Sequence, residues 1–355
     1  MASLLYLMNV DWNWIKQRPH FIAEKLRNDF DITIVNQKRY SSKNLQNREL
    51  SEDIFTMKVI PRIDRYSHLR KINDILRKYI ITRLIKRTGA EYIYITDPSQ
   101  IEWITKEYKG KIIYDCMDDH IGLARNDMIK KRLKNAEEVL SKRADYIIYS
   151  SKYLMNMYHK RYTLQRAIKE EIVRNAFNGE IIEPSTKERS GNYVICYFGT
   201  ISDWFDFELI NKSLEMFNNI EYLLIGPLHR NTSIPENARI KYIGTVEHED
   251  LQKKTENADC FVMPFKLDES IKAVDPVKLY EYINFGKNIV CIRYEEIERF
   301  SKFVFFYDNS TEYMEIISSL LKENKTKYSS TLRETILSHS TWEDRRQQIL
   351  RLLYE

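Results

Sequence analysis

The stretch "DPVKLYEYINFGKNIV", Asp275 to Val290, sets Lys278 and Glu281 three residues apart in a helical pattern that stops at Gly286 before a buried strand. Residues so spaced lie about 60° apart around a helix and act on one neighbourhood. Free N–H groups and the dipole at a helix N-terminus favour an anion, and Lys278 adds a full positive charge suited to a diphosphate. An ionised Glu281 only accepts hydrogen bonds, which matches the two hydroxyls of a ribose. The plainer alternative is an exposed i,i+3 ion pair worth about 0.2–0.5 kcal/mol.

Two further groups have the residue types for chemistry. Asp118, Asp119 and His120 follow a strand-like run, where adjacent carboxylates raise one another's pKa and can orient an imidazole for catalysis. A helix cap with ordinary surface charges is the competing reading. Trp12, Trp14, Arg18 and His20 could line a binding site, the aromatic faces stacking on rings and Arg18 pairing with phosphate. Core or loop anchoring explains the two tryptophans equally well.

The elements that must position these groups are strands alternating with helices. Strand-like runs fall at 4–9, 31–37, 54–60, 92–97, 111–117 and 145–151, and again at 193–199, 221–227, 240–246, 259–265 and 288–293. Near-continuous apolar strands separated by helices predict parallel sheets covered on both faces, hence an α/β protein of Rossmann-like domains. Helices are expected near 206–217, 248–258 and 276–285. The polar stretch at 171–193, with Pro184, Ser185, Ser190 and Gly191, interrupts the alternation. It predicts domains at 1–180 and 181–335, with a closing helix at 336–355 that presents Ile349, Leu350 and Leu353 on one face. Ligands of such sheets bind beyond the carboxyl ends of the strands.

A chain of 355 residues, 43% hydrophobic and 30% charged, supports two cores. Cys116, Cys196, Cys260 and Cys291 sit in apolar runs without metal-type spacing, which predicts reduced core residues of a cytoplasmic protein. Neither a signal peptide nor a membrane span is expected. Residues 1–180 carry 34 Lys and Arg against 23 Asp and Glu, and the remainder 22 against 28, so the halves stand at +11 and −6 within a net +5. Either the basic half meets an anionic surface, such as the inner face of the cell membrane, or it is simply solvated. Segment 62–87 concentrates that charge, with Ile72, Ile75, Leu76, Tyr79 and Ile80 at helical spacing. Nucleic acid is disfavoured, because the basic excess lacks interleaved aromatics or a known module.

"MPFKLDESIKAVDPVKLYEYINFGKNIVC", following "ADCFVMPF", resembles the donor-binding segment of GT-B glycosyltransferases, especially bacterial family 4-like enzymes. "CYFGTISDWFDFELI" resembles the glycine loop of their C-terminal domain. "DWNWIKQRPHFIAEKL" and "YDCMDDH" are similar to segments of teichuronic-acid and related surface-polysaccharide glycosyltransferases. The resemblance covers nearly the whole chain. It implies two Rossmann-like domains facing a central cleft, the first for the acceptor, with Trp12, Trp14, Arg18 and His20 as candidate lining for its sugar rings, and the second for the donor. It gives Glu281 the nucleotide ribose and brings Gly199 and Thr200 to the donor phosphates. Two departures stand out: the acidic residue usual eight positions before the ribose glutamate is Ala273, and an Arg and Lys pair is missing from 200–206. Asp268 or Glu269 could replace the first, and Lys266, Lys272 and Lys278 the second.

The expectation is a glycosyltransferase that moves a sugar from a nucleotide sugar, a UDP-sugar foremost, to a glycan or lipid-linked acceptor in surface polysaccharide synthesis. The resemblance further implies retention of configuration, with no metal and no resident cofactor. Two alternatives stay open: a catalytically inactive GT-B-like binding protein, and a sugar-nucleotide epimerase of the same architecture.

Overall fold

A computed structural model describes residues 1–14, 16–37, 51–60, 67–124, 126–164, 168–184, 191–229 and 232–355. Ser185 and Ser190 of the expected boundary, and the start of the 62–87 segment, lie outside the described residues. The chain divides into two compact units, one of Met1–Asn175 with Trp342–Glu355 and one of Ala176–Thr341. They are called unit 1 and unit 2 below.

Unit 1 is built on β1 (Ala2–Leu7), β2 (Phe30–Gln37), β3 (Ile54–Met57), β4 (Tyr92–Ile95), β5 (Lys111–Cys116), β6 (Tyr146–Tyr149) and β7 (Lys169–Ile172). Its strands lie in the order β3-β2-β1-β4-β5-β6-β7, every pair parallel. The central runs read as continuous apolar sequence because both faces are covered, and Leu5, Leu7, Ile93, Ile95 and Ile113 are fully buried. The helices are α1 (Arg18–Leu26), α2 (Ser67–Thr88), α3 (Asp127–Arg143) and α4 (Lys152–Arg161). Pro19 sits in the first turn of α1, where its missing N–H costs nothing. Asn126 caps α3 and Ser151 caps α4 through their side-chain oxygens.

Unit 2 repeats the plan with β8 (Tyr193–Phe198), β9 (Ile220–Ile225), β10 (Ile240–Tyr242), β11 (Cys260–Met263), β12 (Asn288–Ile292) and β13 (Val304–Tyr307). Their order is β10-β9-β8-β11-β12-β13, again all parallel. Both orders reverse beside their first strand, between β1 and β4 and between β8 and β11, and these reversals are where open α/β sheets take ligands. The helices of unit 2 are α5 (Phe207–Met216), α6 (Leu251–Lys254), α7 (Glu269–Lys272), α8 (Val277–Asn284), α9 (Ser310–Lys322) and α10 (Ser330–Ser338). The last helix, α11 (Trp342–Tyr354), belongs to unit 1. There Trp342 stacks on Phe21 at 5.0 Å, Arg346 pairs with Asp29, and Tyr146 donates to the Leu353 carbonyl at 3.2 Å. Ile349 and Leu353 are buried as expected, while Leu350 is only half-buried.

Some elements differ from the sequence expectation. The strand β13, "VFFY", was not expected, although its aromatic run has strand character. The helix expected over 248–258 is a 3₁₀ turn followed by α6 alone, with the Thr255 hydroxyl donating to the Leu251 carbonyl at 2.7 Å just past its end. All four cysteines are buried and unpaired. No helix among the described residues is long and apolar enough to cross a membrane.

Candidate functional site

In unit 2, three neighbouring strands each run into a glycine of positive φ: Gly199 after β8 (134°), Gly226 after β9 (129°) and Gly244 beyond β10 (74°). Only glycine takes these angles without strain. Their backbones are also close, since a Cβ on Gly226 would stand 2.2 Å from the Gly199 oxygen. The Gly226 N–H donates to the Gly244 carbonyl at 2.7 Å, and the Gly199 N–H to the Ile225 carbonyl at 2.8 Å. Beyond the glycines the β8 loop remains tied on both sides. On one side the Ile201 N–H donates to Pro227, and His229 donates back to Ile201, each at 2.9 Å. On the other, Asp206 donates to Pro264 and Lys266 to Trp204, each at 2.7 Å, around a bridge between Phe205 and Phe265. The result is a fixed floor at the sheet's reversal point.

Lys278 is placed on this floor by the first turn of α8. Its Nζ donates to the Tyr197 hydroxyl at 3.1 Å and lies 5.1 Å from the Tyr197 ring and 5.8 Å from that of Phe265. Its Cε and Nζ fill the space a Cβ on Gly199 would need, at 2.2 and 2.5 Å. Tyr197, whose hydroxyl donates to the Thr200 carbonyl at 2.7 Å, thus holds the lysine and the glycine turn together. The cation has a neutral hydroxyl and two ring faces as partners, so it keeps charge for an incoming anion. Pro276 precedes α8 without a side-chain cap, and the buried Asp275 carboxylate beside it is taken up by Arg299.

Glu281, one turn on, lines a pocket of about 460 Å³ with Phe177, Glu180, Glu249, Leu251 and Phe285. Lys278 and Glu281 therefore lie one turn apart on α8, the first over the glycine floor and the second in the lining of the pocket. That volume falls within the range of small-ligand pockets. The other expected donor residues are placed less directly. Thr200 is exposed, and its carbonyl is the Tyr197 acceptor. Lys266 is exposed and tied through its backbone, and Lys272 pairs with Glu269 at 2.9 Å. Asp268 caps α7 by accepting from Ile271 at 2.8 Å, and Ala273 is buried. Sequence reasoning missed Tyr197, Gly226 and Gly244. The signal was present, since "YFG", "LIG" and "YIG" end three successive strand runs.

In unit 1 burial corrects the expected acceptor residues. Arg18 is 7% exposed and donates through Nε and Nη2 to Asp115, at 2.9 to 3.1 Å, and through Nη1 to the Val173 carbonyl at 2.7 Å. Tyr94 donates to the same carboxylate at 3.0 Å. A guanidinium so committed is a core ion pair and does not face solvent. Trp12 is buried with its N–H donating to Asn36 at 2.9 Å, and its ring lies 5.4 Å from the fully buried His20. Trp14 alone of these four is half-buried.

The acidic cluster divides in the same way. Asp119 accepts from both Arg161 Nη atoms at 2.9 and 3.0 Å and from the Gly122 N–H at 3.0 Å. Burial opposes its ionisation, yet Arg161 and the Gly122 N–H outweigh it and lower the pKa. Asp118 has an exposed side chain but is crowded by protein, and that desolvation, with Asp115 and Asp119 nearby, raises its pKa against the pull of His120. His120 stands with Nδ1 3.9 Å from Asp97, and its Nε2 has no hydrogen-bond partner among the described residues. Asp118 and His120 thus lack the close two-pronged pairing that Arg161 gives Asp119.

No family model matches the chain. It is 25% identical over 263 residues to TuaH of Bacillus subtilis (strain 168), whose own naming as a teichuronic acid biosynthesis glycosyltransferase is provisional. That match spans 68% of this chain and 66% of the relative, slightly under two thirds. Sucrose-phosphate synthase from Thermosynechococcus elongatus has a TM-score of 0.70 at 13% identity, covering 99% of this chain and 98% of its own. Anabaena HepE, solved with UDP and glucose, has a TM-score of 0.69 at 14% identity and 99% coverage of both chains. The lipopolysaccharide outer core galactosyltransferase WaaB has 0.67 at 10%, over 100% and 99%. With its two parallel Rossmann-like sheets, the chain has the GT-B fold of these solved structures, and in sequence it is similar to TuaH.

Proposed function

We propose that this protein transfers a sugar from a UDP-sugar to a glycan or lipid-linked acceptor in bacterial surface polysaccharide synthesis, with retention and without a metal. The observation that carries the reading is Lys278, held by Tyr197 over the Gly199 turn at the reversal point of the unit 2 sheet. Departure of a diphosphate builds negative charge, and a preorganised cation beside free helix N–H groups stabilises that charge as it forms. Glu281 would accept from the ribose hydroxyls in the adjoining pocket, with the glycine floor letting the phosphates approach backbone. Asp118 and His120 would position acceptor hydroxyls. The UDP complexes of HepE and the naming of TuaH support this class of donor and product. The reading goes with a cytoplasmic location at the inner membrane face.

A thermal-shift series with UDP, GDP, CDP and their sugar conjugates tests it, because a ligand that binds only the folded state raises the melting temperature. One nucleotide series should shift the wild type, and Glu281→Ala should weaken the shift while leaving the unliganded melting temperature unchanged. No shift with any nucleotide, or an equal shift in a folded Glu281→Ala, contradicts the proposal.

A further inference from the structure

Helix α2 spans Ser67–Thr88, about 33 Å at the usual rise. Its inward face is Asn73, Arg77, Ile81 and Leu84, all buried. The opposite face is not the plain polar surface of a solvent-facing helix. Ile72, Ile75 and Tyr79 are 45%, 70% and 63% exposed there and fall within an arc of about 60°. Exposed Arg83 and Lys86 continue the same line, and exposed Lys71, Lys78 and Arg87 flank it. Lys71, Arg83 and Lys86 make no ion pair among the described residues. Ile60, tied to Asn73 by two hydrogen bonds at 2.9 and 3.0 Å, adds another exposed apolar side chain beside the helix.

We propose that this face of α2 docks the protein on an anionic lipid surface. Aliphatic side chains at the centre enter the acyl boundary while the surrounding Lys and Arg heads meet lipid phosphates, their long stems reaching outward. The observations favour a membrane over other partners. A second copy of this face would oppose like charges, and a nucleic acid gives isolated aliphatic side chains nothing to pack against. The excess of positive charge in the first half of the sequence strengthens the same attraction.

The test is co-sedimentation of the full chain with vesicles of phosphatidylglycerol and phosphatidylcholine, and with phosphatidylcholine alone. The wild type should bind the anionic vesicles at least about tenfold more tightly than the neutral ones, and added salt should weaken binding. Ile72→Glu/Ile75→Glu/Tyr79→Glu should lose binding with an unchanged melting temperature. Arg83→Gln/Lys86→Gln, which keeps the apolar line, should lose part of it. Failure of the wild type to bind anionic vesicles, equal binding to neutral ones, or undiminished binding by the folded triple variant overturns the proposal. Nucleotide binding is read separately, so failure here leaves the proposed donor chemistry standing.

Discussion

The strand ends of units 1 and 2 share one topology and treat their charges in opposite ways. In unit 1 the charges crowding the ends of β5 and the start of α1 are spent on each other, Arg18 on Asp115 and Arg161 on Asp119. In unit 2 the reversal point of the sheet holds a lysine whose nearest partners are a hydroxyl and two aromatic rings, over backbone bared by glycine. A buried, fully paired charge fixes a fold, whereas a charge with neutral partners is available to a ligand. A charged residue at a strand end therefore marks a binding site only when its partners are known.

The sharpest way to break this contrast is to remove one charge from each place. Arg18→Met leaves Asp115 buried and uncompensated, so it should cost about 3–5 kcal/mol in urea denaturation. Lys278→Met should stay within about 0.5 kcal/mol of wild type, because its chain still packs on Tyr197 and Phe265. Comparable losses in the two variants would erase the distinction.

A smaller effect follows from Glu137 on α3, which is 1% exposed with Arg161 at 3.9 Å. Burial raises its pKa to about 7 against the opposing pull of Arg161. The unfolded carboxyl titrates near 4.5, so between that pH and about 7 the folded state holds the extra proton. Stability therefore falls as pH rises through this window. Glu137→Gln should remove that slope and stabilise the protein at pH ~8 by on the order of 2 kcal/mol, read from melting curves across pH. A wild-type curve that is flat between those values would contradict the assignment.

The alternation of apolar runs made both parallel sheets legible in the sequence, because strands buried on two faces leave no polar period to mistake. The helix carrying Lys278 and Glu281 was equally clear, with its spacing fixed by the backbone repeat and its end by Gly286. What could not be read was which charges are already satisfied. Arg18 and Asp115 are far apart in the chain and adjacent in space, so the sequence alone leaves Arg18 free to pair with a phosphate. The pairing of Phe205 with Phe265, which fills the loop where an Arg and Lys pair was sought, likewise depends on two loops meeting. Local spacing reports orientation on one element, and partnership across elements needs the fold.

The most direct test of the central claim is calorimetric titration of UDP and of uridine into the wild type and Lys278→Met. If Lys278 serves the diphosphate, the wild type binds UDP well above uridine, and the variant loses about tenfold in UDP affinity with uridine affinity unchanged. An unaltered UDP affinity in the folded variant, or an equal loss for uridine, would contradict the placement of a diphosphate on the glycine floor.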